Sequence, residues 1–158
     1  MELYSKLKKK NIDIKFIDIG GGLGIKYYDD DDPPSKKEFA SKIIDRIKSL
    51  DCNLILEPGR SLVGNSGYLL TSVLYEKQNY KKDFLIVDAG MNDLLRPSLY
   101  DAFHKIEEVN KNNGARKKYN VVGPICETGD VLGKDVELPP LVKNDLLIIH
   151  SVGAYGYV

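Results

Sequence analysis

A chain of 158 residues with 42% hydrophobic and 29% charged residues has the composition of a folded globular protein, long enough for one ordinary domain or parts of two. The 23 basic residues balance the 23 acidic ones, and a net charge of zero gives no electrostatic case for nucleic acid or a membrane surface as a partner. No apolar run approaches the ~20 residues that cross a bilayer, the lysine-rich first eleven residues do not read as a secretory signal, and Cys52 and Cys126 supply neither a disulfide framework nor metal-ligand spacing. These features predict a cytoplasmic protein. Its two histidines, His104 and His150, do not by themselves make a metal site.

Leu3 and Leu7, set among lysines, read as the tail of a helix that Asn11 can end. Phe16-Ile17-Asp18-Ile19 is a short apolar run without helical period, the pattern of a buried strand, and it stops in Gly20-Gly21-Gly22-Leu23-Gly24. Glycines let a backbone take positive φ and turn its N–H groups toward an anion such as a phosphate, although a tight turn without a ligand has the same composition. Asp29 to Asp32 followed by Pro33-Pro34 excludes regular structure and reads as a solvated loop rather than a cation site. Ser35 and Glu38 have capping-box spacing, so a helix is expected to begin there, with Phe39, Ala40, Ile43, Ile44, Ile47 and Leu50 on its apolar face. A second buried strand, Asn53 to Leu56, leads into Glu57-Pro58-Gly59-Arg60. Strand, glycine loop, helix, strand is the pattern of a parallel sheet, and in a (β/α) barrel the strand C-termini carry the site.

From about Gly67 the rhythm changes. Tyr68 to Tyr75, Phe84 to Asp88, Ile106 to Val109, Tyr119 to Val122 and Leu146 to Val152 are strand-like, separated by short turns, and predict a mostly β second domain. The domains are expected at residues 1–63 and 64–158.

Three constellations in this half carry chemistry. Arg96 precedes Pro97, which can open a helical turn, and Tyr100 lies four residues on, so a guanidinium and a phenol could share a face suited to a carboxylate. Cys126-Glu127 sits in a loop bounded by Gly123-Pro124 and Gly129-Asp130, where the cysteine could be a proton donor or a nucleophile; a thiol is largely protonated at neutral pH, which suits donation. Cys52, at a strand start, reads as a packing residue. Gly153-Ala154-Tyr155-Gly156 puts a tyrosine on a small-residue turn, where it is either a hairpin aromatic or a ligand contact. Glu57 and Arg60, three apart across Pro58-Gly59, form either a salt bridge or an acceptor for a protonated nitrogen beside a fork for phosphate or carboxylate.

In this order the glycine loop, Glu57-Pro58-Gly59-Arg60, Arg96-Pro97-Ser98-Leu99-Tyr100, Cys126-Glu127-Thr128-Gly129-Asp130 and Gly153-Ala154-Tyr155-Gly156 resemble the diaminopimelate decarboxylases. These are pyridoxal-phosphate enzymes with an alanine-racemase-like barrel and a C-terminal β domain. The resemblance implies an α/β plus β chain: the last strands and helices of a (β/α)8 barrel, then a β domain, both incomplete. It implies pyridoxal 5'-phosphate as cofactor, meso-2,6-diaminopimelate as substrate and L-lysine as product.

By the same resemblance Gly21, Gly22, Gly24 and Tyr155 would hold the cofactor phosphate, and Glu57, in the turn with Pro58 and Gly59, would meet the pyridine nitrogen. Arg60 would contact phosphate or substrate, and Tyr155 would contact the substrate as well. Arg96 and Tyr100 would take the distal carboxylate, Glu127 the distal amino group, and Cys126 would donate a proton. Cys126 and Glu127 would reach into a partner's site, which implies a homodimer. Ornithine and arginine decarboxylases are the near alternatives; Glu127, where ornithine decarboxylases carry aspartate, and the Arg96 to Tyr100 segment favour the diaminopimelate enzymes. The family's Schiff-base lysine and ring-stacking histidine match no segment of these 158 residues. The chain is therefore expected to be a C-terminal fragment that is inactive alone. The alternatives are a catalytically dead module or partner subunit, and an anion-binding domain built on the glycine loop.

Overall fold

The structure is a computed structural model that describes residues 2–157. The chain divides into two compact units: one takes residues through Ile25 together with Asp32–Ser61, the other Lys26–Asp31 together with Leu62 onward.

In the first unit, helix α1 (Glu2–Lys9) ends before Asn11, which takes a left-handed φ of 57°. Strand β1 (Phe16–Asp18) runs parallel to β2 (Asn53–Ile55), with Ile17 opposite Leu54, and helix α2 (Lys36–Ile47) connects them. The helix begins where the capping pair places it: the Glu38 amide donates to Ser35 Oγ at 3.2 Å and the Ser35 amide donates to the Glu38 carboxylate at 2.8 Å. The expectation of buried strands and a buried helix face does not hold within this unit. Phe16 is 60% exposed, Ile44 54% and Ile55 42%, and Leu50 lies beyond the helix. Parallel strands are buried by further strands and by helices on both faces, and here each strand has a single neighbour.

A short helix α3 (Arg60–Val63) and a 3-10 turn over Gly64–Ser66 lead into the second unit. Its strands are β3 (Leu69–Gln78), β4 (Asp83–Val87), β5 (Ile106–Glu108), β6 (Lys117–Val122), β7 (Val131–Leu138) and β8 (Leu146–Ile149), with helix α4 (Arg96–Tyr100) between β4 and β5. They form one sheet in the order β5-β8-β3-β4-β6-β7, antiparallel except for the β4–β6 pair. Its two end strands approach each other. Gly133 of β7 lies so close to Ile106 of β5 that a Cβ there would stand 2.8 Å from Ile106 Cδ1. Arg116 ties the same strands, donating to both oxygens of buried Glu108 at 2.9 and 3.1 Å and to the Glu137 carbonyl at 2.7 Å. The sheet is thereby a nearly closed mixed barrel. Its interior is filled by Val73, Leu85, Val121, Leu138 and Leu147, all without solvent exposure, each contributing about 1.5–3 kcal/mol by burial.

Strand β7 has no counterpart among the sequence expectations. Gly133 interrupts its alternation, and Asp135 adopts φ 51°, its amide donating to Asn120 Oδ1 of β6. Pairing with β6 makes this segment a strand in spite of its local sequence.

Candidate active site

In the first unit the glycine loop follows β1 directly. The Glu57 amide donates to the Gly20 carbonyl at 2.8 Å, and Gly21 presses so closely on the Glu57 carbonyl that a Cβ would stand 2.5 Å from its oxygen. The loop and the Glu57 turn are therefore brought together, as their positions after neighbouring parallel strands suggest. Gly20 and Gly22 have φ of 67° and 94°, and a Cβ at either would meet nothing within 4 Å. The Gly20 amide donates to Asp18 Oδ1, whereas the amides of Gly21, Gly22 and Gly24 have no protein acceptor among the described residues. Amides without a protein acceptor are what an anion such as a phosphate group requires, and the chemistry of the loop fits one. Glu57 is exposed and Arg60 half-buried.

In the second unit three segments meet through the stretch that leads into α4. The Met91 amide donates to Asp130 at 2.6 Å, and the other oxygen of the same carboxylate accepts from Ile125 at 2.8 Å. Asp130 is 3% exposed, and a side chain at Gly123 would collide with its carboxylate. Ser98 Oγ donates to the Gly129 carbonyl, and the Leu95 amide donates to the Gly156 carbonyl at 3.4 Å. The segments bearing Arg96 and Tyr100, Cys126 and Glu127, and Tyr155 are thus stitched to one another.

Within this cluster Cys126 and Glu127 are exposed on their loop. The Glu127 carboxylate accepts from the Gly129 amide at 3.3 Å and the Thr128 hydroxyl at 3.0 Å; these bonds, the Gly129 amide first, hold it below the usual carboxylate range and keep it anionic. Tyr155 is exposed on a turn where its own φ is 58°. Pro97 occupies the first turn of α4 as expected, but Arg96 is buried while Tyr100 is 71% exposed, so the two sit in different environments.

Arg96 stands out chemically. It is 9% exposed, yet no carboxylate pairs with it among the described residues. Its Nη1 donates to His104 Nε2 at 2.9 Å, and its guanidinium carbon lies 4.9 Å from the centre of the Tyr27 ring. A buried arginine ordinarily has an anionic partner, because an uncompensated charge is costly to desolvate. Burial first, with the neighbouring Arg96 charge adding to it, holds His104 below its ordinary pKa and therefore neutral.

Sequence reasoning missed His104, Tyr27, Ser98 and Asp130. Asp130 lay at the edge of the cysteine motif and Ser98 inside the Arg96 to Tyr100 motif, so both were available as signals; His104 and Tyr27 belong to no local pattern. Beside α4 lies a cavity of about 330 Å³ lined by residues that include Tyr28, Ser98, Phe103, His104 and Gly129.

Residues 4–153 match the family model described as pyridoxal-dependent decarboxylase, C-terminal sheet domain. The chain is 46% identical over 157 residues to the diaminopimelate decarboxylase of Aquifex aeolicus, covering 99% of this chain and 37% of that protein. It is 48% identical over 156 residues to the diaminopimelate decarboxylase of Pseudomonas aeruginosa, again covering 99% of this chain and 37% of the relative. Among solved structures, diaminopimelate decarboxylase from Helicobacter pylori complexed with L-lysine superposes with a TM-score of 0.88 at 44% identity, over 98% of this chain and 38% of that one. The chain spans little more than a third of the length of these relatives. The family-model match over residues 4–153, a range that takes in the glycine loop, the buried Arg96 and the cysteine loop, makes this chain a member of the pyridoxal-dependent decarboxylase family, over its C-terminal sheet domain.

Proposed function

We propose that this chain is the C-terminal part of a diaminopimelate decarboxylase, with residues 1–63 closing a cofactor-binding barrel and residues 64–158 forming the β-rich domain. The observation that carries this reading is Arg96, a buried guanidinium whose only protein hydrogen bond among the described residues goes to a neutral histidine. Such a group calls for an anion from outside, and a substrate carboxylate supplies it.

Gly21, Gly22 and Gly24 donate backbone N–H groups to the phosphate of pyridoxal 5'-phosphate, with the Tyr155 hydroxyl and Arg60 alongside. Glu57, in its turn with Pro58 and Gly59, accepts a hydrogen bond from the ring nitrogen and favours its protonated form. The cofactor supplies an electron sink for the pair released when carbon dioxide leaves. Arg96 and Tyr100 grip the distal carboxylate of meso-2,6-diaminopimelate, and anionic Glu127 holds its distal ammonium. Cys126 Sγ carries the proton that replaces the lost carboxyl group, giving L-lysine. Cys126 and Glu127 serve the site of a second copy, so the working form is a homodimer. The isolated chain forms no lysine, since none of its lysines matches the family's Schiff-base segment.

The test is steady-state lysine formation by the complete enzyme that carries this sequence. Arg96→Gln is expected to raise KM for meso-diaminopimelate by about 10- to 100-fold, the value of a hydrogen bond to a charged group, with the cofactor absorbance unchanged. An unaltered KM overturns the assignment.

A further inference from the structure

The partner of Arg96 is a histidine where a carboxylate would be the ordinary choice, and the difference has a consequence for binding. A guanidinium has N–H donors and no acceptor, so in the 2.9 Å contact it is His104 Nε2 that accepts. The ring proton is then on Nδ1, which donates to the His150 backbone carbonyl at 2.9 Å. His150 is itself fixed by the sheet: it follows β8 immediately, and its amide donates to the Lys105 carbonyl, just ahead of β5, at 2.9 Å. His104 is 3% exposed, and the Tyr27 ring, which lies against Arg96, also meets His104 edge to face with ring centres 5.5 Å apart.

We propose that His104 is the positioning residue for Arg96, orienting the guanidinium through a neutral lone pair so that its charge stays available to a substrate carboxylate. A carboxylate at position 104 would aim the guanidinium equally well but would neutralise it before the substrate arrived. A protonated imidazole could not accept the bond at all. Neutral histidine is the ring that satisfies both demands, and the sheet-held carbonyl of His150 selects the tautomer that does so. The inference rests on the reading of Arg96 as the group that holds the distal carboxylate.

The experiment uses the holoenzyme and four variants, Arg96→Gln, His104→Gln, His104→Leu and His104→Glu. It compares KM and kcat for meso-diaminopimelate with calorimetric binding of heptanedioate, an unreactive dicarboxylate of the same chain length, and records thermal unfolding for each protein. Glutamine returns an oxygen acceptor near the Nε2 position and should restore affinity to within about threefold of wild type. Leucine removes the acceptor and should raise KM and weaken heptanedioate binding about tenfold, with a smaller change in kcat, because Arg96 grips the substrate alike before and during the reaction. Glutamate should fold at least as stably as leucine and still bind heptanedioate at least about tenfold more weakly than wild type. A merely structural histidine would not give that split between stability and affinity.

If all three His104 variants bind within about threefold of wild type while Arg96→Gln does not, the positioning role is overturned and the reading of Arg96 stands. If Arg96→Gln also binds like wild type, that reading fails and the positioning role falls with it. Should His104→Leu fail to fold, the contrast between glutamine and glutamate decides the question alone.

Discussion

His104 carries more of the chemistry of this chain than its isolated place in the sequence suggests. Burial and the adjacent Arg96 hold its pKa below the ordinary histidine value of about 6.5. A base kept neutral in the folded state binds a proton more readily in the unfolded chain. Its contribution to stability is therefore complete above about pH 6.5 and is lost as pH falls below that value, at up to about 1.4 kcal/mol per pH unit, until the folded group takes up its own proton. Urea midpoints at pH 7.5 and 5.5 should fall further for the wild type than for His104→Gln, and parallel profiles would remove His104 as the cause. Glu127 behaves in the opposite sense. Hydrogen bonds from the Gly129 amide and the Thr128 hydroxyl favour its charged form, so it remains an acceptor for an ammonium at neutral pH.

The loop carrying Cys126 and Glu127 has little apolar packing of its own, and its shape depends on Asp130. One buried carboxylate accepts from Ile125 within the loop and from Met91 in the segment leading to α4, so the same side chain fixes both. Asparagine could accept only one of these bonds and would turn its NH2 toward the other amide, leaving a buried donor unpaired at a cost of about 1–3 kcal/mol. Asp130→Asn should therefore lower the thermal midpoint and change the rate at which iodoacetamide alkylates Cys126. Unchanged alkylation with a lowered midpoint would mean that the loop keeps its shape by other contacts. Helix α4 shows what neighbouring elements add to a local signal. Pro97 starts the helical turn as its fixed φ requires, but burial of Arg96 and exposure of Tyr100 are decided by what packs on each side of a five-residue helix.

Taken whole, the molecule has an uneven distribution of burial. Among the described residues the second unit holds every large side chain that is almost completely removed from water, whereas β1, β2 and α2 of the first contain no buried residue. Amides of β4 and β6 should exchange with solvent only through global unfolding, and those of β1 and β2 through local opening at lower free energy, as native-state hydrogen exchange can measure. Equal protection in the two units would contradict this order. The same contrast separates what the residues specify locally from what the fold adds. The capping pair Ser35 and Glu38, the turn at Asn11, the glycine loop, the proline-led start of α4 and most of the β-strands were legible because capping, backbone sterics and alternation act over a few neighbouring residues. The ordered motifs were likewise sufficient for the family. Strand β7, with Gly133 and the left-handed Asp135, exists through pairing with β6. The meeting of His104 with Arg96, the His150 carbonyl that sets its tautomer and the hold of Asp130 on Met91 join residues 8, 46 and 39 positions apart. Contacts of that kind leave no period or spacing in a sequence, because only closure of the sheet brings their chain segments together.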